Sequence, residues 1–196
     1  DIEDEVEAAL SLGIKASYLE KIPLPFDVKA AERFDNQAQF HPVKYLQALA
    51  AKIPGDGSHI FEQTRAVNID DDGSPIVVTS QGTTVRAEKV IIASHYPFFD
   101  GGGLYFSRMG VKIKEKFPEG MYITAEDPAR SLRSQNYEDG ELVLLAGEHH
   151  KTGYGNDTNI HYQNLIDFGR NTFEVEDILY RWSTQDCMTA DGIPYI

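Results

Sequence analysis

Along Asp1 to Leu12, acidic and apolar positions recur with the 3.6-residue period of an amphipathic helix, and Gly13 is placed to end it. Ala16 to Leu24 and Ala31 to Phe40 read as extended, the first punctuated by proline. His41-Pro42-Val43 opens a second helix, with Pro42 in its first turn and an apolar stripe at Val43, Leu46, Leu49 and Ala50. Pro54-Gly55-Asp56-Gly57 ends it. Short strand-like runs come next at His59 to Phe61, Arg65 to Ile69, Ile76 to Thr79 and Thr84 to Ala87. The turns between them are rich in Asp and Gly, which predicts a small antiparallel meander. Lys89 to Ala93 has a different pattern, a near-continuous apolar run such as a strand buried on both faces of a parallel sheet would show.

The second half predicts strands at Val111 to Lys114, Met121 to Thr124 and Glu141 to Ala146, the last strongly buried. A glycine-rich loop is expected from Gly147 to Gly155, a helix over Asn159 to Phe173 and a strand over Val175 to Trp182. The link into Val111 through Met109-Gly110 looks short, and whether a segment is missing there is left open. Helices alternating with meanders and isolated buried strands predict an α/β chain (α+β mixed) with no internal repeat.

Composition narrows the function classes. With 196 residues, 41% hydrophobic and 25% charged, the chain can bury a core and is not of disordered composition. The formal charge of −13 disfavours nucleic acid and anionic membrane surfaces as partners. No apolar run approaches the roughly 18 residues of a membrane span. One cysteine, Cys187, excludes a disulfide framework within the chain and points to a reducing cytoplasm. Both ends read as internal to a longer protein: the first residue is Asp1, and Ile196 closes an apolar stretch just after an Asp-Gly turn.

Candidate chemistry is sparse. Asp100-Gly101-Gly102-Gly103 and the glycines from Gly147 to Gly155 lack the strand, G-x-G-x-x-G, helix order of a dinucleotide loop, so neither is expected to hold a pyrophosphate unaided. Six histidines occur without H-x-x-x-H or H-E-x-x-H spacing. His149 and His150, if on a strand, point to opposite faces, and no metal site is expected. His95 comes just after the apolar run at Lys89 to Ala93, and ligands of open α/β sheets sit beyond such carboxyl ends. Cys187 carries no nucleophile signature.

The stretch from Tyr180 to Ile196 is the most specific in the chain: a Trp, a polar patch, then Asp191-Gly192-Ile193-Pro194 before Tyr195-Ile196. It resembles the C-terminal signature W-x-G-x-R-P-x-T-x-D-x-x-P-x-I-G of the flavin-dependent oxidoreductases related to D-amino acid oxidase. Three further stretches agree in order. Phe40 to Leu46 resembles the family's D-P-x-x-L helix start, Ile60 to Ala93 the piece ending in V-V-x-A-x-G, and Glu141 to Glu148 the strand L-x-x-G-G-E. Gly147 to Gly153, Tyr180 to Asp186 and Ala93 to Pro97 are similar to a bacterial branch that carries a downstream Rieske [2Fe-2S] domain. Such a cluster takes two Cys and two His, and this chain has one Cys.

The resemblance implies a family-type substrate domain with a mixed or antiparallel sheet, together with partial FAD-binding Rossmann-type elements. It implies later elements of the FAD domain over 1–98, a substrate domain over 99–178 and a return segment over 179–196. It implies flavin contacts at Ser94, His95, Tyr96, Asp191, Gly192, Ile193 and Pro194. The expected activity of the longer protein is oxidation of an amine or amino-acid-like small molecule by hydride transfer to FAD, with an unknown electron acceptor. The expected alternative is a non-catalytic binding module that kept the fold, and the weakest reading a metal-dependent hydrolase built on the His149-His150 loop. Counting from Trp182, the family's carboxylate-clamping Arg falls on Asp186, which would repel a carboxylate. Asp186 and His150 are therefore expected to contact substrate, with a cationic or neutral amine favoured. No residue is assigned a catalytic role.

Overall fold

The Asp1 carboxylate accepts hydrogen bonds from the backbone N–H groups of Glu3 and Asp4, and so caps helix α1, which spans Ile2–Ser11. The computed structural model describes residues 1–70, 76–94, 104–138, 140–151 and 157–186, with backbone only at 104–106 and 185–186. Two compact units emerge, one formed by Asp1–Arg33 with Gly101–Ile196 and the other by Phe34–Asp100.

In the first unit, β1 (Ala16–Leu19) and β2 (Ala31–Phe34) make a two-stranded sheet. The larger sheet is built from β6 (Leu104–Ile113), β7 (Met121–Ile123), β8 (Ser131–Tyr137), β9 (Gly140–Lys151) and β10 (Val175–Asp186). Its order is β10-β6-β9-β8-β7, and every ladder in it is antiparallel. Helix α3 (Asn159–Thr172) covers one face. The register aligns Leu132, Leu145 and Met109 across three strands, and this row is buried together with Val111, Val143 and Leu165. Gly169 lets the helix approach: a Cβ there would lie 2.9 Å from Leu145 Cδ1. Phe117 and Phe173 close one end of the core, with Leu24 from the early segment packed among them.

In the second unit, His41 Nδ1 accepts the Lys44 N–H and Pro42 starts α2 (Pro42–Ala50). The meander is β3 (Ala66–Asp70), β4 (Ile76–Thr79) and β5 (Thr84–Arg86), antiparallel throughout. No residue of α2 is buried, so its apolar stripe at Val43, Leu46 and Leu49 faces solvent among the described residues.

The mixed α and β class read from the sequence is the one observed, and four local readings are corrected. Lys89 to Ala93 forms no strand, and Ile91 is 89% exposed: a strand buried on both faces needs neighbours on both edges, and no described strand pairs with it. His59 to Phe61 is not a strand either. The loop expected from Gly147 is strand as far as Lys151, because β6 continues alongside it. Met109-Gly110 is no broken link but the middle of β6, paired with Leu145 and Leu144.

Candidate functional site

Alternation along β9 turns Val143 and Leu145 toward α3, and a bulge near the strand's end interrupts that alternation at Glu148 and His149. Pairing passes from Ser107 with Gly147 to Tyr105 with His150, so Glu148 and His149 oppose a single residue of β6. Glu148 adopts φ 54°, a left-handed conformation uncommon for a residue with a side chain. Its carboxylate is buried at 6% exposure against the α3 side of the sheet.

A buried carboxylate is costly unless its charge is compensated. Arg130 Nη2 donates to Glu148 Oε1 at 3.1 Å, Asn164 Nδ2 donates to Oε2 at 2.9 Å, and His161 Nδ1 lies 3.8 Å from that same oxygen. Arg130 is itself placed by backbone bonds: its N–H donates to Thr124 Oγ1 and its carbonyl accepts from the Thr124 N–H. Its guanidinium stands 4.6 Å from the centre of the Phe168 ring. His161, Asn164 and Phe168 reach this point together because their spacing in α3 puts them on one helix face.

His150 lies in the same cluster. Its ring stacks on His161 with centroids 3.8 Å apart and planes within 2° of parallel. Its Nδ1 is 3.0 Å from the Glu148 carbonyl oxygen. A carbonyl only accepts, so Nδ1 carries the proton of this bond, and in the neutral ring Nε2 is the accepting nitrogen. His149 points elsewhere, with Nε2 3.4 Å from Asp127 Oδ1. The histidine pair is thus divided between two faces, and no group of metal-ligating side chains occurs among the described residues.

The face of the sheet away from α3 is different in kind. Register places Ser131, Ala146, Arg108 and Trp182 in one row across four strands. These residues, with Arg133 and Leu144, border a cavity of about 360 Å³. Beyond it the Tyr137 and Tyr180 hydroxyls meet at 2.9 Å, and this bond, with burial second, raises the Tyr137 phenol to about 12.

Of the residues singled out from the sequence, His150 is the one the structure places in a defined cluster. Ser94 is exposed at a bend. Asp186 pairs through its backbone with Leu104 at the end of β10. His95, Tyr96, Asp191, Gly192, Ile193 and Pro194 lie outside the described residues, as does Cys187. Sequence reasoning missed Arg130, Asn164 and His161 as partners of Glu148. The i, i+3 spacing of His161 and Asn164 on a helix whose Leu165 is buried is the signal that points to them.

A FAD-binding site is not assembled by the described residues alone. The expected ring-side contacts lie outside them, and no G-x-G-x-x-G occurs in the sequence to cradle a pyrophosphate.

The family model described as FAD dependent oxidoreductase matches residues 1–196. A Bacillus subtilis (strain 168) protein, YhfW, which is named for a Rieske 2Fe-2S iron-sulfur protein, is 40% identical over 203 residues. That similarity covers 100% of this chain and 40% of YhfW, so the chain spans well under half the relative's length. No solved structure matches.

Proposed function

Because the chain belongs to the family of FAD-dependent oxidoreductases, we propose that the longer protein oxidises an amine or amino-acid-like small molecule by hydride transfer to FAD. The observation that carries this reading is the family match along all 196 residues. When bound, FAD would supply the electron-accepting chemistry, and the protein's part is to place and polarise the substrate.

In this reading β6 to β9 and the start of β10 belong to the substrate domain, 99–178, while 1–98 and 179–196, which takes in the rest of β10, belong to the cofactor side. Ser94, His95, Tyr96 and the run Asp191-Gly192-Ile193-Pro194 are proposed to face the flavin. Asp186 and His150 are proposed to face the substrate. His150 suits that role because its Nδ1 bond to the Glu148 carbonyl and its stacking on His161 fix the orientation of the ring. A [2Fe-2S] cluster, suggested by the name of the relative, would lie outside this chain, whose one cysteine cannot complete a Rieske ligand set. No helix among the described residues is long and apolar enough to cross a membrane. The cytoplasm is proposed as the compartment on the cysteine count.

One observation favours a second reading. Asp186 occupies the position of the family's carboxylate-binding Arg, as a binding module that lost its chemistry would allow. Anaerobic mixing of the longer flavoprotein with a panel of primary, secondary and α-carboxylated amines separates the two. Bleaching of the flavin by at least one amine is expected. A flavin that dithionite reduces but no amine does would favour the binding module.

A further inference from the structure

We infer that Glu148 is a positioning residue for His150. It holds that imidazole from two sides, directly through its own carbonyl and, by way of His161, through its carboxylate. The backbone prepares the arrangement. Gly147 has no side chain, and a Cβ there would lie 3.1 Å from Arg130 Cγ and 3.2 Å from the Ala129 carbonyl oxygen. The segment at 129–130 therefore lies close on β9, beside the next residue, Glu148. Glu148 takes φ 54° at the bulge of that strand. A left-handed conformation at a residue with a side chain persists only where surrounding contacts hold it, and a bulge re-aims the side chains beside it. Here the holding contacts are Arg130 on one carboxylate oxygen and Asn164 on the other.

The ring of His150 is then fixed in two respects. Its Nδ1 lies 3.0 Å from the Glu148 carbonyl oxygen, which sets the edge turned to the backbone. The stack on His161 sets the plane. That stack is not one that two rings choose alone. Aromatic pairs favour offset or edge-to-face arrangements with centroids roughly 4.5–7 Å apart. These centroids are 3.8 Å apart and the planes within 2° of parallel, so other contacts bring the rings together. His161 is carried by α3, and its Nδ1 is 3.8 Å from Glu148 Oε2. Asn164, three residues on along the same helix, donates to that same oxygen. Two residues of α3 are thus aligned on the Glu148 carboxylate, and this alignment presents His161 to His150. An Arg130–Glu148 ion pair acting only for stability would explain neither the stack nor the bond to the carbonyl. That the oriented ring serves an amine substrate rests on the function proposed above.

The test uses the longer protein with isotopically labelled histidine, and His150→Gln identifies the ring signals of His150 by NMR. A single ring orientation with the proton on Nδ1 is expected. Glu148→Ala and His161→Leu are each expected to abolish that Nδ1–H signal by freeing the ring. Leu132→Ala removes a buried core side chain outside the cluster and is expected to keep the signal, which separates lost stability from lost positioning. With an amine that bleaches the flavin, Glu148→Ala and His161→Leu are each expected to slow flavin reduction at least about tenfold at nearly unchanged amine Kd. Neither is expected to add to the effect of His150→Gln in a double variant. A Nδ1–H signal that survives both substitutions, an equal loss in Leu132→Ala, or effects that add to that of His150→Gln would overturn the inference. If circular dichroism shows that Glu148→Ala loses its sheet, His161→Leu decides. The NMR readout needs no turnover. If the signal vanishes in both variants while no amine reduces the flavin, the function proposed above fails and the positioning of His150 stands.

Discussion

Glu148 joins the bulge of β9, the start of β8 and the face of α3 through one buried carboxylate. Replacing it by Gln keeps the shape and the bond from Asn164 but leaves the Arg130 guanidinium without its counter-charge. Arg130 is 23% exposed, so water recovers part of the loss. A destabilisation of about 2 kcal/mol is expected for Glu148→Gln in urea unfolding. An unchanged midpoint would show that the cluster is not held by that pair. At the other end of the sheet, the Tyr137–Tyr180 bond stabilises a protonated phenol. The Tyr137 pKa is raised above its ordinary value of 10.0 to about 12, so the stabilisation is complete below pH 10 and lost as pH rises through about 12. Alkaline titration of tyrosinate absorbance is expected to show one of the ten tyrosines ionising late. Tyr180→Phe should return that step toward the others. Glu148 stood within a recognisable string of the sequence, whereas Arg130 did not, because its role comes from a contact 18 residues away in the chain.

Helix α3 was legible in outline because its period and length are strong, and the strands beside it were legible only where apolar residues run unbroken. Leu142 to Ala146 has that character. β8 does not: Ser131 to Tyr137 carries one buried apolar residue, Leu132, and otherwise polar side chains, so neither alternation nor an apolar run announces it. Its strand state comes from pairing with β9 and β7. The opposite error at Lys89 to Ala93 has the same origin, since an apolar run becomes a strand only when partners are present. The α3 packing can be tested directly. Leu165 has 0% exposure and sits over the Met109 and Leu145 row, so Leu165→Ala is expected to cost about 3 kcal/mol. A loss below about 1 kcal/mol would mean that the helix is not seated on the sheet as described.

At the scale of the molecule, the first unit has a closed core under one face of its sheet, and the register puts Arg108 and Arg133 on its other face. The second unit, by contrast, leaves the apolar stripe of α2 and the run at Ile91-Ile92 exposed among the described residues. The family was legible from four weak strings in the right order, because such strings record local backbone and cofactor demands. The cluster around Glu148 and the cavity beside Trp182 were not, because both arise from register between distant strands. The central claim is that this chain belongs to a protein that works through bound FAD. The most direct measurement is the visible absorption spectrum of the longer protein as purified, before and after dithionite. Flavin bands that bleach on reduction are the result expected. A colourless protein that also fails to take up added FAD would contradict it.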